Sequence, residues 1–194
     1  KLIADENCNN KQIGDAVNSD PAIAAKLIRA ANSAMYRGAK EVIGSAGAIT
    51  RLGLKTTQQL VTSFSMKEVF KSKNKVIQNK MDEVWARSIE IAAISSVLAK
   101  HIPGLIPEQG LLAGLLHNIG KVPVLMYAEN YPSLMENEAL LDQAVNELAP
   151  ELGSTIMKRW GFSEDLIEVA KHSHMLQRYH QGDANYCDLV IVAQ

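Results

Sequence analysis

Residues 114–125 read GLLHNIGKVPVL, an aliphatic run broken by a histidine, an asparagine and a glycine–lysine pair. The spacing of its apolar residues predicts a buried helix that begins at Pro107 and continues through the stretch, because a proline ring favours the first helical position. Polar groups on such a helix need partners. His117, Asn118 and Lys121 are therefore the residues to explain. A lone histidine on an apolar helix is usually a hydrogen-bonded core residue, and a metal or phosphate role has to be weighed against that. The P-loop reading fails. Five residues rather than four separate Gly114 from Gly120, Val122 stands where a Ser or Thr would hold magnesium, and no strand precedes the stretch.

The rest of the 194-residue chain is 47% hydrophobic, enough for one large domain or two small lobes with a sizeable core. Aromatic residues make up 5% while Ala, Leu and Ile abound, which favours close-packed helices over a β sandwich. A formal net charge of −1 gives no global field for nucleic acid or an anionic membrane, and neither is expected as a partner. Cys8 and Cys187 lie far apart and have no metal-ligand spacing. With no signal peptide, they read as reduced thiols of a cytoplasmic protein. The most apolar window, residues 110–128, carries His117, Asn118, Lys121 and Pro123, which a lone membrane span would tolerate poorly. The chain starts without methionine and stops inside the apolar run 189–193, so it reads as a fragment of a longer protein.

Helical punctuation recurs throughout. Asp20 before Pro21 is an N-cap, Ile23, Leu27, Ile28 and Ala31 follow at helical spacing, and Asn32 can close that helix in a left-handed turn. Ser45 opens a short helix that Gly53 ends. Another fills residues 55–70, with Leu60, Val61, Phe64 and Met66 turned inward. Residues 71–80 hold four lysines and read as an exposed connection. The lysine-rich run 67–80 has no aromatic residue alternating with its charges beyond Phe70, so it reads as a solvated linker rather than a nucleic-acid patch. A long amphipathic helix spans 81–100, with Met81, Val84, Trp85, Ser88, Ala92, Ser95 and Ala99 on one face. Pro132 starts a helix, 149–160 forms the next, Gly161 stops it, and Ser163 caps the following one. Trp85 and Trp160 are expected as core anchors, Asn32 and Ser33 as turn formers. The fold class is all-α.

Four stretches carry a resemblance to a known family: SDPAIAAKLIRAANSAMY (19–36), IGSAGAITRLGLKT (43–56), GLLHNIGK (114–121) and GSTIMKRWGFSEDLIEVAKHSH (153–174). The third resembles the GLLHDIGK signature of the HD superfamily of metal-dependent phosphohydrolases. The ordered set resembles the HD-related output domain, the HDOD family, over nearly the whole chain. The resemblance implies an N-terminal helical lobe, about residues 1–75, packed on an HD-like bundle, about residues 76–194. It also implies a ligand pattern. The first ligand histidine aligns with Arg87, the His–Asp pair with His117 and Asn118, and a later histidine with Ala149. The His–His pair aligns with Ser173 and His174, with His172 nearby, and the closing aspartate with Gln194.

Those replacements argue against a metal. A hard divalent ion wants carboxylate oxygens and imidazole nitrogens, and the aligned set offers no carboxylate. At an effective dielectric of about 20, a divalent ion about 4 Å from a unit positive charge such as that of Arg87 meets roughly 8 kcal/mol of repulsion. Without metal there is no activated water for phosphoester hydrolysis. The expectation is a non-catalytic bacterial regulatory module with no catalytic residues, metal or cofactor. It would bind a protein partner, a neighbouring signalling domain or a small ligand, through a groove between lobes or the degenerate pocket near His117. Lys121 is expected to reach a backbone carbonyl or a partner's carboxylate. Two alternatives stay open. One is a phosphohydrolase with rearranged ligands drawn from His172, His174, Asp165 or Asp188. The other is a nucleotide-sensing pocket in which Arg87 and Lys121 contact phosphate.

Overall fold

The computed structural model describes residue 17, residues 20–33, residue 36 and residues 38–194. Cys8, Ser19, Ala34, Met35 and the side chain of Met66 lie outside the described residues. Among those described, the regular elements are helices and no strand occurs, so the fold is all-α. The chain divides into two compact units, Lys1–Val69 and Phe70–Gln194.

In the first unit, α1 (Pro21–Ala31) starts as expected: the Asp20 carboxylate accepts the N–H groups of Ala22 at 2.9 Å and Ile23 at 3.2 Å. It buries Ile23, Leu27 and Ala31. Asn32 closes it, but in a right-handed conformation (φ −95°) rather than the left-handed one expected. Its side chain is otherwise occupied. Nδ2 donates to the Val42 carbonyl at 2.7 Å and Oδ1 accepts the Val42 N–H at 2.9 Å, fastening an irregular segment to the helix end. The Arg51 guanidinium adds bonds to the Ala31 and Lys40 carbonyls. Arg51 lies on α2 (Ser45–Leu52), which Gly53 ends with a φ of 78°, a conformation open to glycine without strain. α3 (Leu54–Val69) follows and buries Leu60 and Val61, while Phe64 is half-buried.

In the second unit, α4 (Lys75–Ala99) begins six residues before the expected start. Asn74 caps it by accepting the Val76 and Ile77 N–H groups, so half of the lysine-rich connection is helix. Nor is all of that segment solvated: Lys80 donates to Glu138 at 2.8 Å and Asp142 at 3.2 Å. α5 (Pro107–Leu116) and α6 (Lys121–Ala128) replace the single helix expected through GLLHNIGK. Pro123 is the physical reason. Its ring would clash with the carbonyl four residues earlier, that of Ile119, and it supplies no N–H, so the helix restarts at Lys121 with the proline in its first turn. Residues 117–120 form the intervening turn, in which Ile119 donates to the Leu116 carbonyl and Lys121 to that of Asn118.

After the short α7 (Pro132–Met135), α8 (Glu138–Arg159) runs eleven residues further upstream than expected and carries Pro150 inside it. Gly161 stops it with a φ of 71°, as expected, and Trp160 is only half-buried there, whereas Trp85 is fully buried. Ser163 precedes α9 (Glu164–His172), but its side chain makes no capping bond, contrary to expectation. α10 (Tyr186–Ala193) is held by a reciprocal cap between Asn185 and Asp188.

α4 and α5 form the spine of this bundle, and α6, α8, α9 and α10 close around it. Two glycines permit the closest crossings. A Cβ on Gly114 would lie 2.4 Å from the Ala92 Cα, and one on Gly120 would lie 2.0 Å from the Ala149 carbonyl oxygen. The apolar stretch Pro107–Ala128 is long enough by composition to cross a membrane, yet 61% of its most apolar window is buried among these helices. Core packing accounts for its composition.

Candidate functional site

His117 sits at the end of α5 and is 4% exposed. Its Nδ1 lies 2.7 Å from the Gly114 carbonyl oxygen, which can only accept, so Nδ1 carries the proton. The lone pair is then on Nε2, and the Asn118 Nδ2 lies 2.7 Å from it. An amide nitrogen can only donate. The network therefore assigns Asn118 the role of hydrogen-bond donor to the one imidazole nitrogen that could bind a metal. An aspartate at this position would have no proton to give at neutral pH. It would leave that lone pair open.

Burial holds the His117 pKa down to about 4; the Gly114 carbonyl opposes this, and the charges of Lys121 and Arg87 add to it. Between pH 6.5 and 4 the unfolded chain binds a proton that the folded chain refuses, so stability from this group is complete above about pH 6.5 and is lost as pH falls towards 4. The loss amounts to about 3 kcal/mol across that window. Proton NMR of the imidazole should show His117 titrating near 4, well below the ordinary histidine value. A midpoint near the ordinary histidine value would contradict the buried, capped geometry.

Three of the residues that align with the HD ligand pattern, Arg87, Gln194 and Ser173, are joined by hydrogen bonds. Arg87 on α4 is exposed, pairs with Glu90 at 3.1 Å and donates to the Gln194 carbonyl. The Gln194 side chain donates to the carbonyl of buried Ser173 at 2.9 Å. Ala149 is buried in α8, with its carbonyl pressed against Gly120. His172 is half-buried at the end of α9 and His174 is exposed. Among the described residues no three or more His, Cys, Asp or Glu side chains gather as a metal site would require. The donors present do not fit a divalent ion: one imidazole is capped, one position is a guanidinium, and Gln194 offers a neutral amide rather than a carboxylate.

Asp188 and Asp165 do not join the histidines either. Asp165 is exposed in the first turn of α9. Asp188 accepts from Arg178 at 3.0 Å, from His180 at 2.7 Å and from the Asn185 N–H at 2.8 Å, while Arg178 also pairs with Glu168. Burial alone would push the Asp188 carboxyl up, but the Asn185 N–H, His180 and Arg178 together hold it below the usual value. Sequence reasoning missed this cluster. The legible signal was the Asn185-to-Asp188 spacing of a capping box. Cys187 lies beside it, buried, with its thiol pushed up by burial to about 11. At neutral pH it stays protonated and unreactive.

Lys121 follows the turn at the start of α6. Burial lowers its pKa, opposed by the carboxylate of Asp142. Its ammonium makes no hydrogen bond or ion pair to a described residue, so the expected bond to a backbone carbonyl is not found there. It faces a cavity of about 340 Å³ lined also by Lys80, Glu83, Asp142 and Asn146. Arg87 does not line this cavity.

This helical arrangement and the sequence that builds it recur in known proteins. A crystal structure from Shewanella amazonensis SB2B, of a protein provisionally named a metal-dependent phosphohydrolase, shares 32% identity; the match covers 99% of this chain and 70% of that one, with a TM-score of 0.85. A Geobacter sulfurreducens structure described as an HDOD domain protein of unknown function shares 22% identity over 98% of this chain and 68% of that one, with a TM-score of 0.67. A Marinobacter aquaeolei VT8 structure provisionally named a signal transduction protein shares 21% over 99% and 45%, with a TM-score of 0.60. A Treponema pallidum (strain Nichols) protein with no described function is 25% identical over 82% of this chain, which spans about a third of that relative's length (32%). The sequence model of the HDOD domain matches residues 1–176, nine-tenths of the chain, and the chain belongs to the HDOD domain family.

Proposed function

We propose that this protein is a non-catalytic regulatory module of bacterial signal transduction, working in the cytoplasm and binding a protein partner or a small ligand. Its HD site is a remnant that holds no catalytic metal. One observation carries the reading: the Asn118 amide donates to His117 Nε2 at 2.7 Å, so the nitrogen that would ligate an ion is already bonded within the protein. Arg87 adds a fixed positive charge near the same histidine, and Gln194, whose amide nitrogen donates to the Ser173 carbonyl, brings no negative charge. Neither nucleic acid nor membrane is a partner in this reading, in keeping with a net charge of −1.

The competing reading is a metal-dependent phosphohydrolase, favoured by the name of the 32% identical Shewanella relative. Assays with a generic phosphodiester and with cyclic dinucleotides, in added Mn²⁺ or Fe²⁺, separate the two. The expected result is no turnover above a buffer blank. Asn118→Asp is also expected to stay inactive, since Arg87, Ala149 and Ser173 would still stand where ligands are needed. Metal-dependent turnover by the native chain would refute the non-catalytic role.

A further inference from the structure

The cavity beside Lys121 lies wholly within the second unit, between α4, α6 and α8, and its charges say what would fill it. Ligand pockets start at about 300 Å³, so a volume of about 340 Å³ admits only a small molecule. The walls supplied by Val84, Leu125 and Val145 are apolar, which strengthens any charge interaction inside. Two lysines and two carboxylates line the space, yet they are not matched evenly. Lys80 is paired with both Glu138 and Asp142. Lys121 is partly buried and paired with nothing described, and the side chains of Glu83 and Asn146 also make no bond to a described residue.

A half-buried ammonium with no acceptor among the described residues is one that an anion in the cavity can complete. The missing group must be an anion, but it cannot carry much charge, because Asp142 and Glu83 face the same space. Polyphosphates are excluded on that ground. The Glu83 carboxylate and the Asn146 side chain, both exposed where they line the cavity, offer acceptors to a donor or cation on the same molecule. Pro150 supplies no N–H to the Asn146 carbonyl one turn earlier, so that carbonyl also lacks its helical donor. We propose that this cavity binds a small zwitterion of the amino-acid type, with its carboxylate on Lys121 and its ammonium towards Glu83 and Asn146. This rests on the ligand-binding reading above and names the ligand's chemistry.

The test is calorimetric titration of the full chain with individual free α-amino acids, using acetate, ethylammonium and inorganic phosphate as probes that carry charge of one sign only. At least one amino acid should bind saturably and more tightly than any of the three probes. Lys121→Met should weaken that binding by about tenfold or more, the range expected for losing a charged hydrogen bond. Glu83→Gln, at an exposed position that should not disturb folding, should weaken the amino acid while acetate binds as well as before or better, because a carboxylate facing the same space has gone. Failure of every amino acid to bind overturns the proposal. So does phosphate or acetate matching the best amino acid, or affinity that survives Glu83→Gln. Metal-dependent activity would instead refute the non-catalytic reading, so the two failures are distinguishable.

Discussion

Replacing Gly120 with alanine is expected to destabilise the protein by about 4 kcal/mol, at the severe end for a single methyl group. Gly120 has ordinary helical dihedrals (φ −69°), so backbone strain is not the reason. The reason is distance. A Cβ there would sit 2.0 Å from the Ala149 carbonyl oxygen and 2.6 Å from the Gly153 nitrogen, both backbone atoms of α8 that no side-chain rotation can move. Relief requires α8 to separate from the turn at 117–120, which also carries Asn118 and leads into Lys121. Gly104→Ala is the control: its φ is 84° but nothing lies within 4 Å of a new Cβ, so only the backbone penalty of about 1 kcal/mol applies. Urea unfolding of the two variants should separate them clearly. Equal losses would mean that the α6–α8 crossing is looser than described.

The second large effect is expected at Asp188→Ala, a loss of about 3 kcal/mol. Arg178 is 10% exposed and would keep Glu168 alone as partner. The same change removes the carboxylate that His180 and the Asn185 N–H both use, so the start of α10 loses half of its reciprocal cap. Because Asp188 is itself a quarter exposed, water recovers part of the loss, which keeps the figure at the lower end for a buried pair. Asp165→Ala, an exposed carboxylate in the first turn of α9, should change stability by less than about 1 kcal/mol. Hydrogen exchange at the first turn of α10 would locate the damage. Unchanged protection there would remove the network from the account.

Local chemistry made much of this fold legible. The Asp20 cap, the Gly53 and Gly161 stops and the proline starts at 107 and 132 are decided within a few residues, and all recur in the structure. The misreadings came from partners far along the chain. Lys80 read as solvated because its carboxylates lie 58 and 62 positions further on. α8 read as starting near Pro150, whereas packing against α6 and α9 carries the helix through the proline. At the site, each departure from the HD ligand pattern was readable one residue at a time, but what Asn118 bonds to was not. That depends on the Gly114 carbonyl fixing the imidazole proton, which only the folded turn brings about.

The claim that this site has exchanged a metal for hydrogen bonds is tested most directly by elemental analysis of the native chain and of His117→Ala, each purified after exposure to Mn²⁺, Fe²⁺ and Ni²⁺. Far less than one ion per chain is expected in both, with no difference between them. About one equivalent in the native chain that disappears in His117→Ala would contradict it, because a metal would then hold the lone pair assigned here to Asn118.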